Sequence, residues 1–506
     1  MIDAIRNLGD VVGAHSPADQ LAFMGLDADL RESPYRFDQL DELANGVARG
    51  LKARGYAQGD RIALLGANSV EFIAVVLGIM RAGLVAVPVN HRFPRALIEY
   101  VVGDSGARLL FCDAAHAALA PGDVPQVSLV RGSGEGLDQF IEAGAFDSFQ
   151  PVEDEPAMML YTSGSTGKPK GVILSHAAHL WVVRTRLHAT PLAQERALIA
   201  APLYHMNALA LALLSLASGA SAVLLPQFTA SGYIDAIERY RCTWLTAVPP
   251  MIAMMLREQA HLARADLSSV RVVRMGSAPV SASLLGQIHR LLATARVINA
   301  YGTTEGGPVV FGPHPQGLTS PPLSVGYAHP DVQLRLRDEH GQLSDEGVLE
   351  LKSPGLMSGY HNRPDLRAPF TDDGFYITGD VFSRDGNGFY TFVGRRDDMF
   401  VSGGENIYPG EIEKLLERHP AVQQACVVPV ADEIKGFKPM AFVVLSAGAE
   451  ASEAQIKAFT LEHAPAYQHP RRIWFVDALP LASTNKIDRP ALLQDATRRL
   501  QADASA

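Results

Sequence analysis

The chain has few cysteines and no excess of positive charge. Its 506 residues include three cysteines, Cys112, Cys242 and Cys426, at scattered positions. An odd and scattered set makes neither a disulfide framework nor a zinc site, which indicates a reducing, cytoplasmic compartment. The 44 Lys and Arg residues face 54 Asp and Glu residues, so the formal charge is −10. This balance argues against nucleic acid or an anionic membrane as the main partner.

A signal segment and an unbroken apolar run are also missing. The first six residues contain no basic region followed by an apolar one. Between Arg196 and Asp235 only His205 could carry a charge, but Pro202, Gly219, Pro226 and several serines interrupt this stretch. A buried β–α–β unit fits such a pattern better than a helix that spans a membrane.

What the sequence does contain is an alternation of helical and strand-like patterns over its first 300 residues. Apolar residues recur at helical spacing over 37–52 and 70–81, and strand-like runs occupy 61–65 and 84–89. Buried strands that alternate with helices predict an α/β fold with largely parallel sheets layered with helices. The length of 506 residues corresponds to about three typical domains, which is sufficient for a fold of this class.

The pattern changes twice towards the C-terminus. From about Val325 the strand-like segments become shorter and are separated by turn signals such as residues 385–388. After Arg395 a compact α+β pattern follows, with a helix near 410–419 and strands near 425–430 and 440–445. We therefore expect an N-terminal domain over residues 1–394, which includes a short-stranded β subdomain, and a small C-terminal domain over residues 395–506.

The densest cluster of glycine, hydroxyl and lysine residues lies at positions 161–171. Glycines let the backbone bring its N–H groups close to a ligand, while hydroxyls and lysines add donors and positive charge. The spacing is not that of the Walker A motif, because two residues separate Gly164 from Gly167. The segment predicts a phosphate-binding loop between two strands; the alternative is a flexible surface hairpin. The candidate phosphate-binding residues are Thr162, Ser163, Gly164, Ser165, Thr166, Gly167 and Lys170.

This loop resembles the phosphate loop of the adenylate-forming superfamily, which includes acyl- and aryl-CoA synthetases, peptide-synthetase adenylation domains and firefly luciferase. Five further segments resemble motifs of that superfamily in the same order: residues 301–305, 376–380, 394–398, 402–409 and 481–486. The chain is most similar to stand-alone acyl- or aryl-CoA ligases. The resemblance implies that the C-terminal domain rotates during the reaction.

The resemblance also implies roles in adenylation, which joins a carboxylate to the α-phosphate of ATP and expels pyrophosphate. Lys486 would bridge the substrate carboxylate and the α-phosphate in this first step. Glu305 and Thr162 would hold Mg²⁺, and Thr304 would contact phosphate. The remaining nucleotide-binding residues implied are Gly276, Ser277 and Ala278 at the adenine, Asp380 and Arg395 at the ribose, and Tyr301, Gly302 and Thr303 beside them.

The acid is expected to lie near His205, which the resemblance places at the entrance of the acid pocket, although a lone histidine is as often a core residue. Trp181, Met206 and Asn207 are expected to face the same pocket. Because the stretch around His205 is apolar, an uncharged acyl or aryl acid is expected.

The second half-reaction is implied less directly. By the resemblance, the C-terminal domain turns about Asp397 and brings Gly403 and Gly404 beside the pantetheine arm of CoA, whereas an ordinary hairpin turn is the alternative. Arg92 occupies the place of a CoA-phosphate contact, but an exposed surface arginine would look the same.

The sequence therefore predicts a cytoplasmic ATP- and Mg²⁺-dependent acid–CoA ligase that acts through an acyl-adenylate. Two alternatives stay open: an acyl-AMP ligase that loads a separate carrier protein, and a non-catalytic nucleotide-binding protein of the same fold. A homodimer is compatible with the sequence, and the resemblance suggests a lysine acetyltransferase acting on Lys486 as a further partner.

Overall fold

The helices begin and end where the sequence supplies caps and an apolar stripe. The computed structural model describes residues 2–12, 18–162, 168–190, 192–363, 369–402, 405–482 and 486–505. The helix Phe37–Ala53 buries Leu40, Leu43, Val47 and Leu51 along one face. The next helix, Val70–Arg81, follows Ser69, whose hydroxyl accepts the Phe72 N–H. Both helices and the strand between them lie where the sequence predicts them.

The described strands are β1 Leu21–Leu26, β2 Glu32–Arg36, β3 Arg61–Leu65, β4 Val85–Val89, β5 Ala107–Cys112, β6 Gln126–Ser128, β7 Pro156–Thr162, β8 Lys170–Ser175, β9 Arg196–Ile199, β10 Ser221–Leu224, β11 Trp244–Ala247, β12 Val272–Met275, β13 Arg296–Asn299, β14 Phe311–Gly312, β15 Ser324–Ala328, β16 Gln333–Arg337, β17 Glu346–Lys352, β18 Gly359–Tyr360, β19 Tyr376–Arg384, β20 Phe389–Arg395, β21 Phe400–Ser402, β22 Glu405–Ile407, β23 Val422–Asp432, β24 Gly436–Leu445 and β25 Arg472–Phe475. The described α-helices are α1 Phe37–Ala53, α2 Val70–Arg81, α3 Arg95–Ser105, α4 Leu137–Phe140, α5 His176–Ala189, α6 Met206–Ser218, α7 Ala230–Tyr240, α8 Pro249–Arg257, α9 Gln259–Leu262, α10 Ala282–Leu291, α11 Pro409–Leu416, α12 Glu453–His463 and α13 Arg489–Ser505. Single 3₁₀ turns occupy Ile2–Ala4, Leu8–Asp10, Ala117–Leu119, Arg396–Asp398 and Ala466–Gln468.

Two largely parallel sheets form the N-terminal part. One has the strand order β13-β12-β11-β9-β10-β1-β2, and the other has the order β18-β8-β7-β4-β3-β5-β6. In the first sheet the β1–β2 pair is antiparallel, and in the second β8 pairs antiparallel with both β7 and β18. Helices α1, α2, α5 and α6 contribute to the large apolar core that these sheets share. The α/β class predicted from the sequence is confirmed.

The stretch between Arg196 and Asp235 forms the β–α–β unit that the sequence predicts. It comprises β9, α6 and β10, and β9 pairs with β10 in parallel. Helix α6 is buried along nearly its whole length, which accounts for its apolar composition. Among the helices that the structure describes, none combines the length and the apolarity that crossing a membrane requires.

A third sheet is antiparallel, with the order β14-β15-β20-β19-β17-β16. It corresponds to the short-stranded segments predicted after Val325. Strands β19 and β20 are joined at residues 385–388, where the Asp385 carboxylate accepts the backbone N–H groups of Asn387 and Phe389. The register of this hairpin places Asp380 directly opposite Arg395.

The C-terminal residues form a separate domain with its own sheet and core. The strand order is β22-β21-β24-β23, with β25 added in parallel beside β24. Two apolar clusters in this domain draw their buried residues from the chain after Phe400. The 3₁₀ turn Arg396–Asp398 follows β20 directly, next to the boundary after residue 394, which stays a prediction.

Candidate active site

A cleft of about 1320 Å³ lies where the first parallel sheet, the antiparallel sheet and the C-terminal domain meet. Its floor includes residues that directly follow the carboxyl ends of β11, β12 and β13, among them Val248, Gly276 and Ala300. Ligands of open α/β sheets bind at such strand ends. The opposite wall comes from the C-terminal domain and includes Lys486 and Glu413.

The side of the cleft expected to bind phosphate is built by β7, β8 and the residues around Glu305. Thr162 ends β7 and Lys170 begins β8, and both line the cleft. The Lys170 ammonium lies 5.1 Å from the centroid of the Tyr360 ring, a distance at which a cation is attracted to the ring face. The candidate phosphate-binding residues Ser163, Gly164, Ser165, Thr166 and Gly167 lie outside the described residues.

Glu305 is held through one of its two carboxylate oxygens. Its Oε1 accepts hydrogen bonds from the Tyr360 hydroxyl at 3.0 Å and from Thr162 Oγ1 at 3.4 Å. From the described residues, Oε2 receives no hydrogen bond. Burial and the neighbouring Glu305 raise the pKa of Tyr360, so its hydroxyl remains a donor. Sequence reasoning missed Tyr360 because it belongs to none of the recognised motifs.

The carboxylate and hydroxyl oxygens around Glu305 suit a hard cation such as Mg²⁺, which proteins hold through one or two carboxylates together with substrate phosphates. The described residues contain no group of three or more His, Cys, Asp or Glu side chains that could hold a metal by themselves. A metal held partly by a substrate is the arrangement that this donor set fits.

Asp380 is a buried carboxylate with two fixed partners. Its side chain lies on β19, 4% exposed, and accepts the Tyr301 hydroxyl at 2.5 Å and Arg395 Nη1 at 3.1 Å. Burial raises the pKa of Asp380, while Arg395 and Tyr301 oppose that shift. Tyr301 is itself fixed edge-on against Phe382, with ring centroids 4.8 Å apart. The structure thus brings Tyr301, Asp380 and Arg395 together at one wall of the cleft.

Lys486 reaches the cleft from the C-terminal domain. Its backbone carbonyl accepts the Ala482 N–H at 2.7 Å, and a bridge between Leu481 and Ile487 closes the turn whose residues 483–485 lie outside the described part. The side chain keeps accessible surface toward the cleft, but protein surrounds it. Burial therefore lowers the pKa of Lys486, while Asp380 and Glu305 raise it. Lys486, Asp380 and Glu305 are close enough for their charges to interact.

The residues expected to contact the adenine lie at the end of β12, and further candidate nucleotide-binding residues lie in the turn after β13. Gly276, Ser277 and Ala278 line the cleft, as do Gly302, Thr303 and Thr304. A Cβ at Gly302 would lie 2.8 Å from the Gly307 carbonyl oxygen, so this turn has no room for a side chain. Ser277 has φ +65°, a left-handed conformation that is uncommon outside glycine.

His205, Met206 and Asn207 line the cleft at the start of α6, as expected. His205 Nε2 and Asn207 Nδ2 are buried without a hydrogen-bond partner in the described structure. Burial, followed by the charges of Lys486 and Arg92, lowers the pKa of His205 to about 3. The imidazole is therefore neutral at physiological pH and can serve as a wall or a hydrogen-bonding group, but not as a cation.

One expectation about this site is not met in the described cleft. Trp181 is absent from the described cleft lining: its ring packs over Gly355, where an added Cβ would lie 3.0 Å from it, and it lies edge-on to His329. Arg92 is exposed and outside that lining, its charge lowers the pKa of His205, and its contact with a CoA phosphate stays a prediction. Gly403 and Gly404 lie outside the described residues.

The C-terminal domain is docked against the N-terminal part through helix α11. The Lys414 ammonium donates to the Phe392 carbonyl at 2.6 Å. Glu417, at the end of α11, is hydrogen-bonded to Ser281 at the start of α10 and accepts the Ala425 N–H at 3.1 Å. Burial raises the pKa of Glu417 to about 7, with Glu413 adding to this shift and the two hydrogen bonds opposing it.

This carboxyl makes docking depend on pH. If release of the domain returns Glu417 to its ordinary pKa of 4.5, docking takes up one proton between pH 4.5 and 7. The docked state is then favoured at low pH, and the equilibrium constant for docking falls by up to about tenfold per pH unit as the pH rises through this window. We expect Glu417→Gln to remove this pH dependence from ATP–pyrophosphate exchange measured in the presence of the expected carboxylic acid substrate. Glu462→Gln, on the exposed face of α12, is the matched control and should keep the wild-type profile; identical profiles in both variants would contradict the assignment.

Comparison with known proteins gives consistent matches over nearly the whole chain. The AMP-binding enzyme family matches residues 13–361, and the AMP-binding enzyme C-terminal domain matches residues 411–486. A feruloyl-CoA synthase of Amycolatopsis sp is 34% identical over 469 residues, 88% of this chain and 91% of that protein. A fatty acid–[acyl-carrier-protein] ligase of Streptomyces coeruleorubidus is 31% identical, covering 90% of each chain. The crystal structure of the anthranilate CoA ligase AuaEII in complex with anthranoyl-AMP superposes with a TM-score of 0.88 at 28% identity, covering 98% of both chains.

Proposed function

The chain belongs to the family of AMP-binding enzymes, and from that premise we propose that it is an ATP-dependent carboxylic acid–CoA ligase. In the first step the acid carboxylate attacks the α-phosphate of ATP, which gives an acyl-adenylate and releases pyrophosphate. In the second step the CoA thiolate attacks the acyl carbonyl, which forms the thioester and releases AMP. The observation that carries this proposal is the convergence of Lys486, Asp380 and Glu305 in one cleft.

Lys486 supplies the cation for the first step. Negative charge develops on the α-phosphate as the carboxylate oxygen attacks, and a positive group already in place stabilises that charge without reorganisation. Lys486 and Lys414 are the C-terminal-domain lysines that line the described cleft, and Lys486 lies within electrostatic reach of Asp380 and Glu305. Burial lowers the pKa of Lys486, and bound nucleotide phosphates would raise it by favouring the charged form.

Asp380 and Arg395 orient the nucleotide. The Asp380 carboxylate is held by Tyr301 and Arg395 on one side of the cleft, which fixes it before a ligand arrives. An ionised carboxylate can accept hydrogen bonds from both hydroxyls of a ribose. At the end of β12, the backbone of Gly276, Ser277 and Ala278 lines the cleft and is available to the edge of the adenine.

Glu305 and Thr162 would hold Mg²⁺. Bound there with the phosphates, the ion would neutralise charge on the departing pyrophosphate. The protein's own part is to orient the Glu305 carboxylate, which the hydrogen bonds from Tyr360 and Thr162 do through Oε1.

We expect Glu305→Gln to weaken the apparent affinity for Mg²⁺ in acid-dependent pyrophosphate release by about 10- to 100-fold. The amide keeps the shape of the side chain and loses its charge. The measurement is a Mg²⁺ titration at saturating ATP. Glu346→Gln, on an exposed end of β17, is the control and should leave the titration unchanged; an unaltered titration for Glu305→Gln would remove this residue from the site.

The second step needs a different placement of the C-terminal domain, because Lys486 occupies the cleft in the docked state. We propose that the domain turns about Asp397, in the 3₁₀ turn between β20 and β21. Gly403 and Gly404 are then assigned to the pantetheine arm, Arg92 to a phosphate of CoA, and neutral His205 to the entrance of the acid pocket.

The deciding experiment is pyrophosphate release over a panel of acids, with and without CoA. Turnover that requires CoA supports the ligase. Turnover indifferent to CoA but dependent on a carrier protein would favour the alternative that the Streptomyces relative's name suggests. No release with any acid would favour a non-catalytic nucleotide-binding protein, against which the presence of Lys486, Glu305 and Asp380 speaks.

A further inference from the structure

Arg274 is a charged residue in the interior of a parallel sheet. It lies on β12, paired with Thr246 of β11 on one side and with Ile298 of β13 on the other. Side chains alternate along a strand, so Arg274 shares its face with Val272, while Val273 and Met275 project to the opposite face and join a different apolar cluster. Arg274 also lines the cleft, two residues before Gly276.

No carboxylate in the described structure neutralises Arg274. Its guanidinium makes no hydrogen bond or ion pair with any described residue, although the described side chains include every Asp and Glu of the chain except Asp365 and Asp503. Burial lowers the pKa of Arg274 to about 10. A partly buried guanidinium without a counter-ion destabilises the folded state, because no partner offsets the unfavourable free energy of its desolvation.

A second arginine increases this positive charge. Arg186 lies in the last turn of α5, a helix that packs into the same apolar cluster as Val272. Its guanidinium also makes no hydrogen bond or ion pair with the described residues, and burial together with the charge of Arg274 lowers the pKa of Arg186 well below the usual range. Two neighbouring guanidinium groups that repel each other need an anion between or beside them.

The acid side of the cleft carries a further unused donor. Asn207 Nδ2 is buried and has no partner in the described part of the chain. An alkyl chain or an unsubstituted ring would bury this amide and Arg274 without offering either an acceptor. Leaving buried donors unpaired is unfavourable, so this wall of the cleft suits a ligand that brings oxygen acceptors of its own.

We propose that Arg274, with Arg186 behind it, determines acid specificity by binding a second carboxylate at the end of the substrate remote from the carboxyl that is adenylated. The inference rests on the proposed ligase function and names its substrate class, a dicarboxylic acid. It differs from the sequence-based expectation of an uncharged acid, which depended on the apolar stretch around His205. Arg274 comes from a strand outside that stretch.

The test compares diacids with their half-amides, which have nearly the same shape but lack the second charge. The pairs are glutarate with glutaramate, and terephthalate with 4-carbamoylbenzoate. Wild-type kcat/KM for pyrophosphate release should favour the diacid of at least one pair by about 10²- to 10³-fold, the usual effect of removing one partner of a buried charge pair. Arg274→Gln should remove this preference and leave kcat/KM for the half-amide within about threefold. Arg186→Gln should reduce the preference in part, while Arg296→Gln, exposed on the neighbouring strand β13, should retain it.

The outcomes distinguish failure of the dicarboxylic acid inference from failure of the ligase proposal. Wild-type enzyme that activates half-amides or neutral hydroxyaryl acids better than diacids overturns the inference and leaves the ligase function intact. An equal loss for both members of a pair in Arg274→Gln also overturns it, because the arginine would then serve the common carboxylate or the fold. If no acid is activated, the ligase proposal fails, and calorimetric titration of the wild type and Arg274→Gln with both diacids decides the inference; absence of tighter binding by the wild type overturns it.

Discussion

Replacing Lys486 with alanine is expected to lower acid-dependent pyrophosphate release by about 10³-fold, the upper range for losing one group that stabilises transition-state charge. The same variant should convert supplied acyl-AMP and CoA into thioester at close to the wild-type rate. The reason is that Lys486 belongs to the docked state of the C-terminal domain, in which it faces Asp380 and Glu305 across the cleft. Once the adenylate has formed, the extra negative charge that develops on the α-phosphate during attack is gone, so the second step offers Lys486 no such charge to stabilise.

The measurement follows both half-reactions on the same preparation. Lys52→Ala, at the exposed end of α1, is the matched control and should leave both rates unchanged. Loss of both half-reactions in Lys486→Ala would refute its restriction to the first step. Unchanged pyrophosphate release would remove Lys486 from catalysis altogether.

The elements of the fold could be predicted closely because their signals are local. Strand β3 and helix α2 have the bounds that periodicity predicts, since each is an apolar pattern closed by polar or capping residues. The β9–α6–β10 unit was also predicted correctly, because prolines and glycine interrupt its apolar stretch. Local pattern is sufficient where a segment's burial follows from its own composition.

The site was predicted as a set of motifs, but its connections depend on tertiary placement. Tyr360 reaches Glu305 across 55 positions of the chain, and burial in the folded chain raises the pKa of Glu417, whose side chain is hydrogen-bonded to Ser281 at the start of α10. Trp181 was expected in the acid pocket and instead packs on Gly355. In each case the deciding neighbour is distant in sequence, so spacing along the chain carries no signal of it.

The placement of a charged side chain in the fold is likewise not predictable from its sequence neighbours, as Arg274 shows. In the sequence it is one arginine among several in a stretch after the β11 segment, and nothing nearby distinguishes it from Arg271, which is exposed and paired with Glu195. In the folded chain the two differ because strand alternation and sheet position turn one to the surface and the other to the cleft.

Substituting Asp397 with proline is expected to separate the two half-reactions in the opposite sense to Lys486→Ala. Asp397 lies in the first turn of the 3₁₀ helix Arg396–Asp398, where a proline is tolerated, and its N–H makes no hydrogen bond in the described structure. Its carboxylate lies 3.7 Å from Arg395, an exposed pair of little energetic weight. The docked state should therefore persist, and pyrophosphate release should stay within about tenfold of wild type.

If the domain turns about Asp397 as proposed, the second half-reaction requires the backbone there to change, and a proline ring fixes one of its two rotatable angles. A domain that cannot complete its turn leaves the thiol misplaced, and a displacement of about 1 Å can cost roughly 10²-fold in rate. We therefore expect thioester formation from supplied acyl-AMP to fall by at least about 10²-fold in Asp397→Pro. Asp397→Ala, which removes the carboxylate but keeps both angles free, should retain both activities. Equal losses in the two half-reactions of the proline variant would place the hinge elsewhere in the chain between β20 and β21. Loss of thioester formation in the alanine variant would mean that the second step requires the Arg395 contact and not rotation.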